Sequence, residues 1–156
     1  MSEHFTVTKL ATLKDKLGKS VEVKSCNQTS IGPPELMAFF YSSLAELIDL
    51  GHGSPWPGYT SKSMAVYIEI NDVIVGLIMF NYNADQRQAF IVLSAVNKEY
   101  RNRGLYKLMH YEFEKASKKL GAKQITSLVH VDNAGRLASA KTVDFVPQFY
   151  KMIKDL

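Results

Sequence analysis

A strand that runs into a glycine-containing loop and then into an amphipathic helix constrains the fold of this chain most. Apolar residues predict the strand over residues 89–96, and residues 97–104 (Asn-Lys-Glu-Tyr-Arg-Asn-Arg-Gly) form a short charged connection. The helix is predicted from Leu105 to Leu120, with Gly121 as its stop. A strand, a short loop and a helix that packs back on the sheet are typical of a mixed α/β domain.

The start of this helix has the features of a phosphate site. The first N–H groups of a helix lack backbone acceptors and lie at the positive end of the helix dipole, so they attract anions. Arg101 and Arg103 add forked donors that suit phosphate oxygens, and Gly104 lets a ligand approach because it has no Cβ. The alternative is an ordinary strand-to-helix connection with a solvated basic loop. The motif is neither a P-loop nor a dinucleotide fingerprint, because it lacks the Gly-Lys-Ser/Thr ending and has only one glycine.

The spacing of Val96, then Arg101-x-x-Gly104-x-Tyr106, resembles the acetyl-CoA-binding signature of the GNAT superfamily of N-acetyltransferases. In that signature the last position is Gly or Ala, so Tyr106 departs from it. The resemblance implies that main-chain groups around residues 93–96 pair with the pantetheine arm and that N–H groups of residues 101–106 hold the pyrophosphate. The cofactor-binding residues that it implies for acetyl-CoA are Leu93, Ser94, Ala95, Val96, Arg101, Asn102, Arg103, Gly104, Leu105, Tyr106 and, after the next strand, Asn133.

The remaining pattern predicts one domain over residues 1–156. Hydrophobic periodicity and turn signals place the other elements, whereas residues 1–18 are weakly patterned. The predicted elements are a strand at 21–26, a helix at 33–50, strands at 64–70, 73–82 and 89–96, a helix at 105–120, a strand at 124–131, a short helix at 133–143 and a strand at 145–153. We expect a mixed α/β fold with a mostly antiparallel central sheet and helices on both faces, splayed as the GNAT resemblance implies.

Composition and charge limit the classes of protein. The chain is 46% hydrophobic and 22% charged, as is typical of a globular protein, and no apolar run is long enough to span a bilayer. The start is polar and resembles no signal peptide, and the single Cys26 fits a reducing interior, so we expect a cytoplasmic protein. The net charge of +4 would suit nucleic acid as a partner, although solvated helix faces explain it as well. The sequence leaves open whether two copies form a homodimer.

Acetyl transfer to an amine needs positioning, an acceptor for the ammonium proton, N–H donors for the oxyanion and an acid for the thiolate. Backbone N–H groups near residues 94–96 would supply the oxyanion donor. The side chains that relatives use are absent, because Phe90 and Val92 stand where they often carry glutamate or histidine, and Ala140 stands where many carry tyrosine.

Three other residues are candidate catalytic groups. His130 lies near the end of the predicted strand before Asn133, and an imidazole is a suitable proton acceptor for an amine; the alternative is a structural histidine. Tyr150 on the predicted last strand would reach the thiolate, or is a core or edge tyrosine. Glu69 would act through water, or simply faces solvent. The other histidines form no set with ligand spacing, so we predict no metal site.

Residues 51–63 form a loop rich in glycine, proline and aromatic residues. Trp56 and Tyr59 offer stacking faces for an acceptor amine, and the glycines permit movement. The alternative is a rigid turn with Trp56 packed on the core. The acceptor classes left open are a small amine, an amino acid, a peptide amine and an amine on a nucleobase.

Three functions follow. The first is an acetyl-CoA-dependent N-acetyltransferase in which a primary amine attacks directly in a ternary complex. The second is a CoA-binding domain of the same fold with weakened chemistry, which the missing acid and base side chains favour. The third is a member of this fold that associates with nucleic acid, which only basicity and the loop aromatics favour.

Overall fold

Six strands form one sheet, and α-helices pack on both of its faces, in a computed structural model that describes residues 4–52, 58–148, 152 and 154–155. The predicted mixed α/β fold is confirmed. In chain order the elements are β1 (Val7–Lys14), β2 (Ser20–Cys26), α1 (Pro34–Asp49), β3 (Met64–Ile70), β4 (Val73–Asn83), β5 (Gln88–Val96), a 3-10 turn (Lys98–Tyr100), α2 (Leu105–Leu120), β6 (Gln124–Ser127) and α3 (Ala134–Lys141).

The strands lie in the sheet in the order of the sequence. Neighbours from β1 to β5 are antiparallel, and β6 is parallel to β5 because α2 connects the two strands. The predicted turn between β3 and β4 is present, and Asn71 and Asp72 both have positive φ, 50° and 63°. Two such residues in succession are typical of the tight turns that match the twist of a hairpin.

Each face of the sheet carries its own core. Leu36 and Phe40 of α1 pack on one face, against β-strand residues such as Tyr67. Met109 and Phe113 of α2 pack on the other face. Strand β4 is apolar without alternation because helices cover both of its sides. The expectation of helices on both faces is therefore confirmed.

The first strand was not predicted. Val7–Lys14 forms an edge strand that pairs only with β2, and most of its residues are exposed or half-buried. An edge strand needs little apolar alternation, because one of its edges and much of its surface face water. The weak pattern of residues 1–18 therefore reflects the position of this strand at the edge of the sheet.

The end of the chain differs from the prediction in three respects. β6 stops at Ser127 and does not reach residue 131, and α3 ends at Lys141 and not at residue 143. Residues 145–148 and 152 are not in a strand, so the prediction of a strand over 145–153 was wrong for them. Its other residues lie outside the described part of the chain.

Candidate functional site

The sheet opens between β5 and β6. Their parallel pairing begins at Gln88 with Gln124 and stops at Ile91 with Ser127. β5 continues to Val96, whereas β6 has ended. The last five residues of β5 therefore have no partner on that edge among the described strands, and we refer to this opening of the sheet, toward the chain that leads to α3, as the cleft.

A β-bulge directs β5 into this cleft. Ile91 pairs with Phe80 and Leu93 pairs with Met79, so Val92 is the extra residue. Ile91 belongs to the core under α2 and Leu93 to the core under α1. Because of the bulge, Ile91 and Leu93 point to opposite faces of the sheet. This change of side occurs immediately before the residues predicted to bind pantetheine.

Backbone groups of β5 point into the cleft. The N–H of Asn97 donates to the carbonyl of Val75 at 2.7 Å, which fixes which residues bond to β4. Hydrogen bonding in an antiparallel pair alternates along the strand. Ser94 and Val96 therefore direct their N–H and C=O groups away from β4, toward the open edge, where the Val96 carbonyl accepts from Nε of Arg101.

The loop after β5 presents the first turn of α2 with no capping side chain. Asn97 caps the 3-10 turn by accepting from the Glu99 N–H at 3.0 Å. Asn102 and Gly104 have positive φ, 64° and 75°, and Gly104 is the N-cap of α2 without a side-chain hydrogen bond. The first N–H groups of a helix have no intrahelical acceptor, so this turn is a concentration of backbone donors.

The side chains of the two arginines in this loop bind protein acceptors. Arg101 donates from Nε to the carbonyl of Val96 and from Nη2 to Glu46, both at 3.0 Å. Arg103 donates from Nε to Asp15 at 2.8 Å. The donors that a phosphate would meet here are therefore first of all backbone N–H groups, and the arginine side chains as phosphate ligands stay a prediction.

Asp15 holds the loop from behind and was missed by the sequence analysis. Burial of its carboxylate opposes the charge, but N–H donors of Lys19 and Leu17 and the Arg103 guanidinium outweigh burial, and the pKa of Asp15 lies below its ordinary value. The N–H of Lys16 donates to the carbonyl of Arg103 at 3.1 Å. An acidic residue in a weakly patterned turn gave no signal of this role.

Asn133 caps α3 on the other side of the cleft. Its Oδ1 accepts from the Arg136 N–H at 3.1 Å, as the predicted N-cap requires. Its role toward a cofactor stays a prediction.

Tyr106, in the first turn of α2, packs its ring against the Arg136 guanidinium, at 5.1 Å from the ring centroid.

His130 lies at the cleft, in the segment between β6 and α3. Its Nδ1 accepts from the N–H of Asp132 at 3.2 Å. Its ring lies 5.5 Å from the ring of His52, which follows α1, and Nδ1 of His52 is buried with no hydrogen-bond partner among the described residues. The pairing of these two histidines brings the end of α1 to the cleft, and nothing in their spacing along the sequence predicted it.

The other two catalytic candidates do not join His130 in the described structure. Glu69 lies on β3, two strands from β5, and its Oε2 accepts from Lys24 at 2.6 Å. That hydrogen bond is the main reason why the pKa of Lys24 is raised, in spite of partial burial. Tyr150 lies outside the described residues. The catalytic roles of these residues therefore stay predictions.

Tyr59 is one of the two residues predicted to contact an acceptor amine, and this role stays a prediction. Its ring packs on Phe40 of α1, with 5.5 Å between the ring centroids. The carbonyl of Gly58 accepts from Nδ2 of Asn81 at 2.6 Å, and a Cβ at Gly58 would lie 3.2 Å from the Phe90 ring. Trp56 lies outside the described residues. Residues 58–59 are thus held over α1 and β5. The sequence signal for this contact was Asn81, a polar residue that interrupts the apolar run of β4.

The described ranges contain neither a metal site nor a membrane-spanning helix. No group of three or more His, Cys, Asp or Glu side chains there is arranged to hold a metal ion. No helix of that part of the chain combines the length and the apolar character needed to cross a membrane.

Comparison with known proteins gives a family and a fold. Residues 36–145 match the model of the acetyltransferase (GNAT) family, whereas no curated protein matches the chain in sequence. A ribosomal-protein-alanine N-acetyltransferase from Brucella melitensis biovar Abortus 2308 aligns with a TM-score of 0.64 and 8% identity, over 87% of this chain and 99% of that chain.

Two aminoglycoside acetyltransferases have the same fold. AAC(6')-Iy in complex with CoA aligns with a TM-score of 0.60 and 10% identity, over 86% of this chain and 98% of that chain. HMB0005, from an uncultured soil metagenomic sample, aligns with a TM-score of 0.60 and 15% identity, over 88% of this chain and 99% of that chain. At these identities the similarity concerns the fold alone.

Proposed function

The chain belongs to the GNAT family of acetyltransferases, and from that premise we propose that it transfers an acetyl group from acetyl-CoA to a primary amine. The observation that carries this proposal is the cleft between β5 and β6, which opens after Ile91 and Ser127 and adjoins the uncapped start of α2. A strand edge with unpaired backbone groups suits an amide-containing arm, and a helix start suits a diphosphate.

The proposed placement of acetyl-CoA follows from these two features. The diphosphate binds backbone N–H groups of residues 101–106, and the pantetheine arm pairs with the open edge of residues 93–96. The acetyl group then lies near the bulge at Val92. Backbone N–H groups of the same edge are the candidate donors for the oxyanion that develops as the amine attacks.

The acceptor amine is proposed to enter from the side of α1. Tyr59 and Phe90 line that side, and Gly58 is fixed there by its bond to Asn81. The amine attacks the thioester carbonyl, a tetrahedral intermediate forms, and the thiolate of CoA leaves. No covalent intermediate with the protein is needed, because the thioester is already activated.

Proton transfer is assigned to His130, with His52 beside it. An acceptor that arrives as an ammonium must lose a proton before it attacks as a neutral amine, and imidazole accepts a proton near neutral pH. Two other groups are proposed. Glu69 would accept the proton through a water molecule, and Tyr150 would donate a proton to the departing thiolate. Ala140 leaves no phenol at the position where many relatives carry one.

A second candidate function rests on the apolar side chains at the positions where relatives carry acid or base groups. Phe90, Val92 and Ala140 carry no acid or base, which favours a domain that binds acetyl-CoA and has weak or no transferase activity. Binding alone does not separate the two functions, but turnover does.

The test measures binding and transfer in sequence. Acetyl-CoA is titrated into the protein by calorimetry, and thiol release is then followed with a panel of small amines, amino acids and peptides. Binding with amine-dependent thiol release and intersecting initial-rate patterns supports the ternary-complex transferase. Binding without thiol release supports the second function, and absence of binding at high micromolar acetyl-CoA contradicts both.

A further inference from the structure

Arg136 carries a buried guanidinium without a hydrogen-bond partner. Its side chain reaches from α3 to the first turn of α2, where it lies 5.1 Å from the centroid of the Tyr106 ring, and it lies 5.8 Å from the centroid of Phe145. Both terminal nitrogens are buried, and neither donates a hydrogen bond to any of the residues that the structure describes. The Tyr106 hydroxyl, also buried, lies beside this guanidinium but forms no well-aligned hydrogen bond with it or with any other described residue.

A buried charge without acceptors is costly. Removing a guanidinium from water forfeits several hydrogen bonds, and contacts with aromatic faces return only part of that free energy. The neighbouring His110 does not balance this charge. Burial, with a further effect of the Arg136 charge, lowers the pKa of His110 to about 4, so its imidazole is neutral at pH 7. The cluster therefore has donors and positive charge but lacks an anion among the described residues.

The position of this cluster indicates which anion it would take. Tyr106 is the second residue of α2, so Arg136 lies next to the turn whose N–H groups we propose bind the diphosphate. The guanidinium groups of Arg101 and Arg103 already bind protein acceptors. Arg136 is thus the arginine near this turn whose forked donors have no acceptor in the described structure.

We propose that Arg136 and the Tyr106 hydroxyl donate hydrogen bonds to a phosphate group of acetyl-CoA. This inference rests on the proposed function. A guanidinium binds two phosphate oxygens through parallel N–H donors, and the phosphate supplies the charge that the cluster lacks. Contact with the first turn of α2 favours the diphosphate over the 3′-phosphate of the adenosine. The large side chain of Tyr106 then has a function in place of the small residue of the family signature.

The experiment compares ligands that differ in phosphate groups. Acetyl-CoA and acetyl-dephospho-CoA, which lacks the 3′-phosphate, are titrated into the wild type and into Arg136→Met and Tyr106→Phe. We expect Arg136→Met to weaken both ligands by about tenfold to a hundredfold, as for hydrogen bonds to a charged group, and Tyr106→Phe to weaken both by less. Lys119→Met removes one positive charge from the exposed last turn of α2, and it is expected to leave the affinity for both ligands unchanged.

The outcomes separate this inference from the proposed function. Equal affinity of the wild type and Arg136→Met for both ligands overturns the inference while acetyl-CoA binding stands. A loss for acetyl-CoA alone keeps the phosphate contact and overturns its assignment to the diphosphate. Failure of the wild type to bind acetyl-CoA overturns the proposed function and this inference together.

Stability gives an independent readout. Removal of a buried, unpaired charge is expected to leave the thermal midpoint of the ligand-free protein unchanged or raised, whereas a purely structural arginine would lower it. If Arg136→Met does not fold, Arg136→Lys retains the charge without the fork and is expected to weaken both ligands severalfold. Wild-type affinity in Arg136→Lys would overturn the two-oxygen contact.

Discussion

Asp15 and Arg103 form an ion pair at 2.6 Å although 88 residues separate them in sequence. The pair joins the turn between β1 and β2 to the loop that precedes α2, and the backbone bond from Lys16 to Arg103 adds a second connection. The predicted phosphate-binding loop is therefore supported by the two strands at the edge of the sheet. Its geometry depends on residues that a local motif does not contain.

Replacement of Asp15 by Asn is expected to lower stability in a pH-dependent way. The pKa of Asp15 is lowered in the folded protein, so its contribution is complete above its ordinary value of 3.8 and is lost as the pH falls through the lower folded value. Urea unfolding of the wild type and Asp15→Asn should differ at about pH 7 and converge at about pH 2. A difference that is the same at both pH values would show that the charge of Asp15 is not the cause.

The central part of the fold was predictable because its signals are local. The meander from β3 to β5 has apolar strands separated by turn residues, and α2 has an apolar stripe with glycine at each end. β6 was predicted too long for a physical reason: Leu128 and Val131 are apolar but are 85% and 67% exposed, because β5 diverges and leaves no strand to pair with them. Apolar composition alone does not reveal where a sheet opens.

The site was predictable only where its residues follow one another in sequence. The loop, the N-cap Gly104 and the cap Asn133 lie in such segments. The contacts of Arg103 with Asp15 and of His52 with His130 join distant segments, and a single sequence gives no information on such pairs.

Replacement of Gly104 by Ala is expected to weaken acetyl-CoA binding. Gly104 has a φ of 75°, and a Cβ there would lie 3.3 Å from Cγ and Cε of Lys16, so the backbone conformation and the Lys16 side chain must both adjust. The strain alone costs about 1–2 kcal/mol. Gly51→Ala is the matched control, because Gly51 has a φ of 74° and open space around it. Similar losses of stability with a lower affinity only for Gly104→Ala would support the placement of the diphosphate, and equal affinities would contradict it.

Tyr59 and Tyr41 provide a matched pair for the acceptor site. Both rings pack on Phe40, at 5.5 Å and 5.3 Å between centroids, but Tyr59 follows Gly58, which lies against the Phe90 ring, whereas Tyr41 is exposed. We expect Tyr59→Ala to raise the KM for the amine by about tenfold, because the variant loses one stacking contact worth about 1 kcal/mol or more. The affinity for acetyl-CoA should not change. Tyr41→Ala should change neither. An unchanged KM in Tyr59→Ala would move the acceptor to another surface.

His110 is expected to make the fold less stable in mild acid. Its pKa is about 4 in the folded protein, chiefly because of burial, against an ordinary value of 6.5. The unfolded chain therefore binds more protons between these values, and stability falls as the pH falls from 6.5 to about 4. The slope approaches about 1.4 kcal/mol per pH unit. Urea midpoints measured across this range should decline in the wild type and less in His110→Phe, which keeps an aromatic ring. Equal declines would assign the effect to other groups.

Replacement of His130 by Ala is expected to lower kcat by about a hundredfold or more, as for loss of a proton acceptor. The acetyl-CoA affinity should not change, because the proposed diphosphate and pantetheine contacts lie on β5 and α2. The acid limb of the pH–rate profile, which reports protonation of the base, should disappear in the variant. His52→Ala serves as a comparison, because it removes the neighbouring ring and leaves His130 in place; it should keep most of the turnover. A wild-type pH profile in His130→Ala would transfer the role of base to Glu69 acting through water, and Glu69→Gln would then have to abolish the limb.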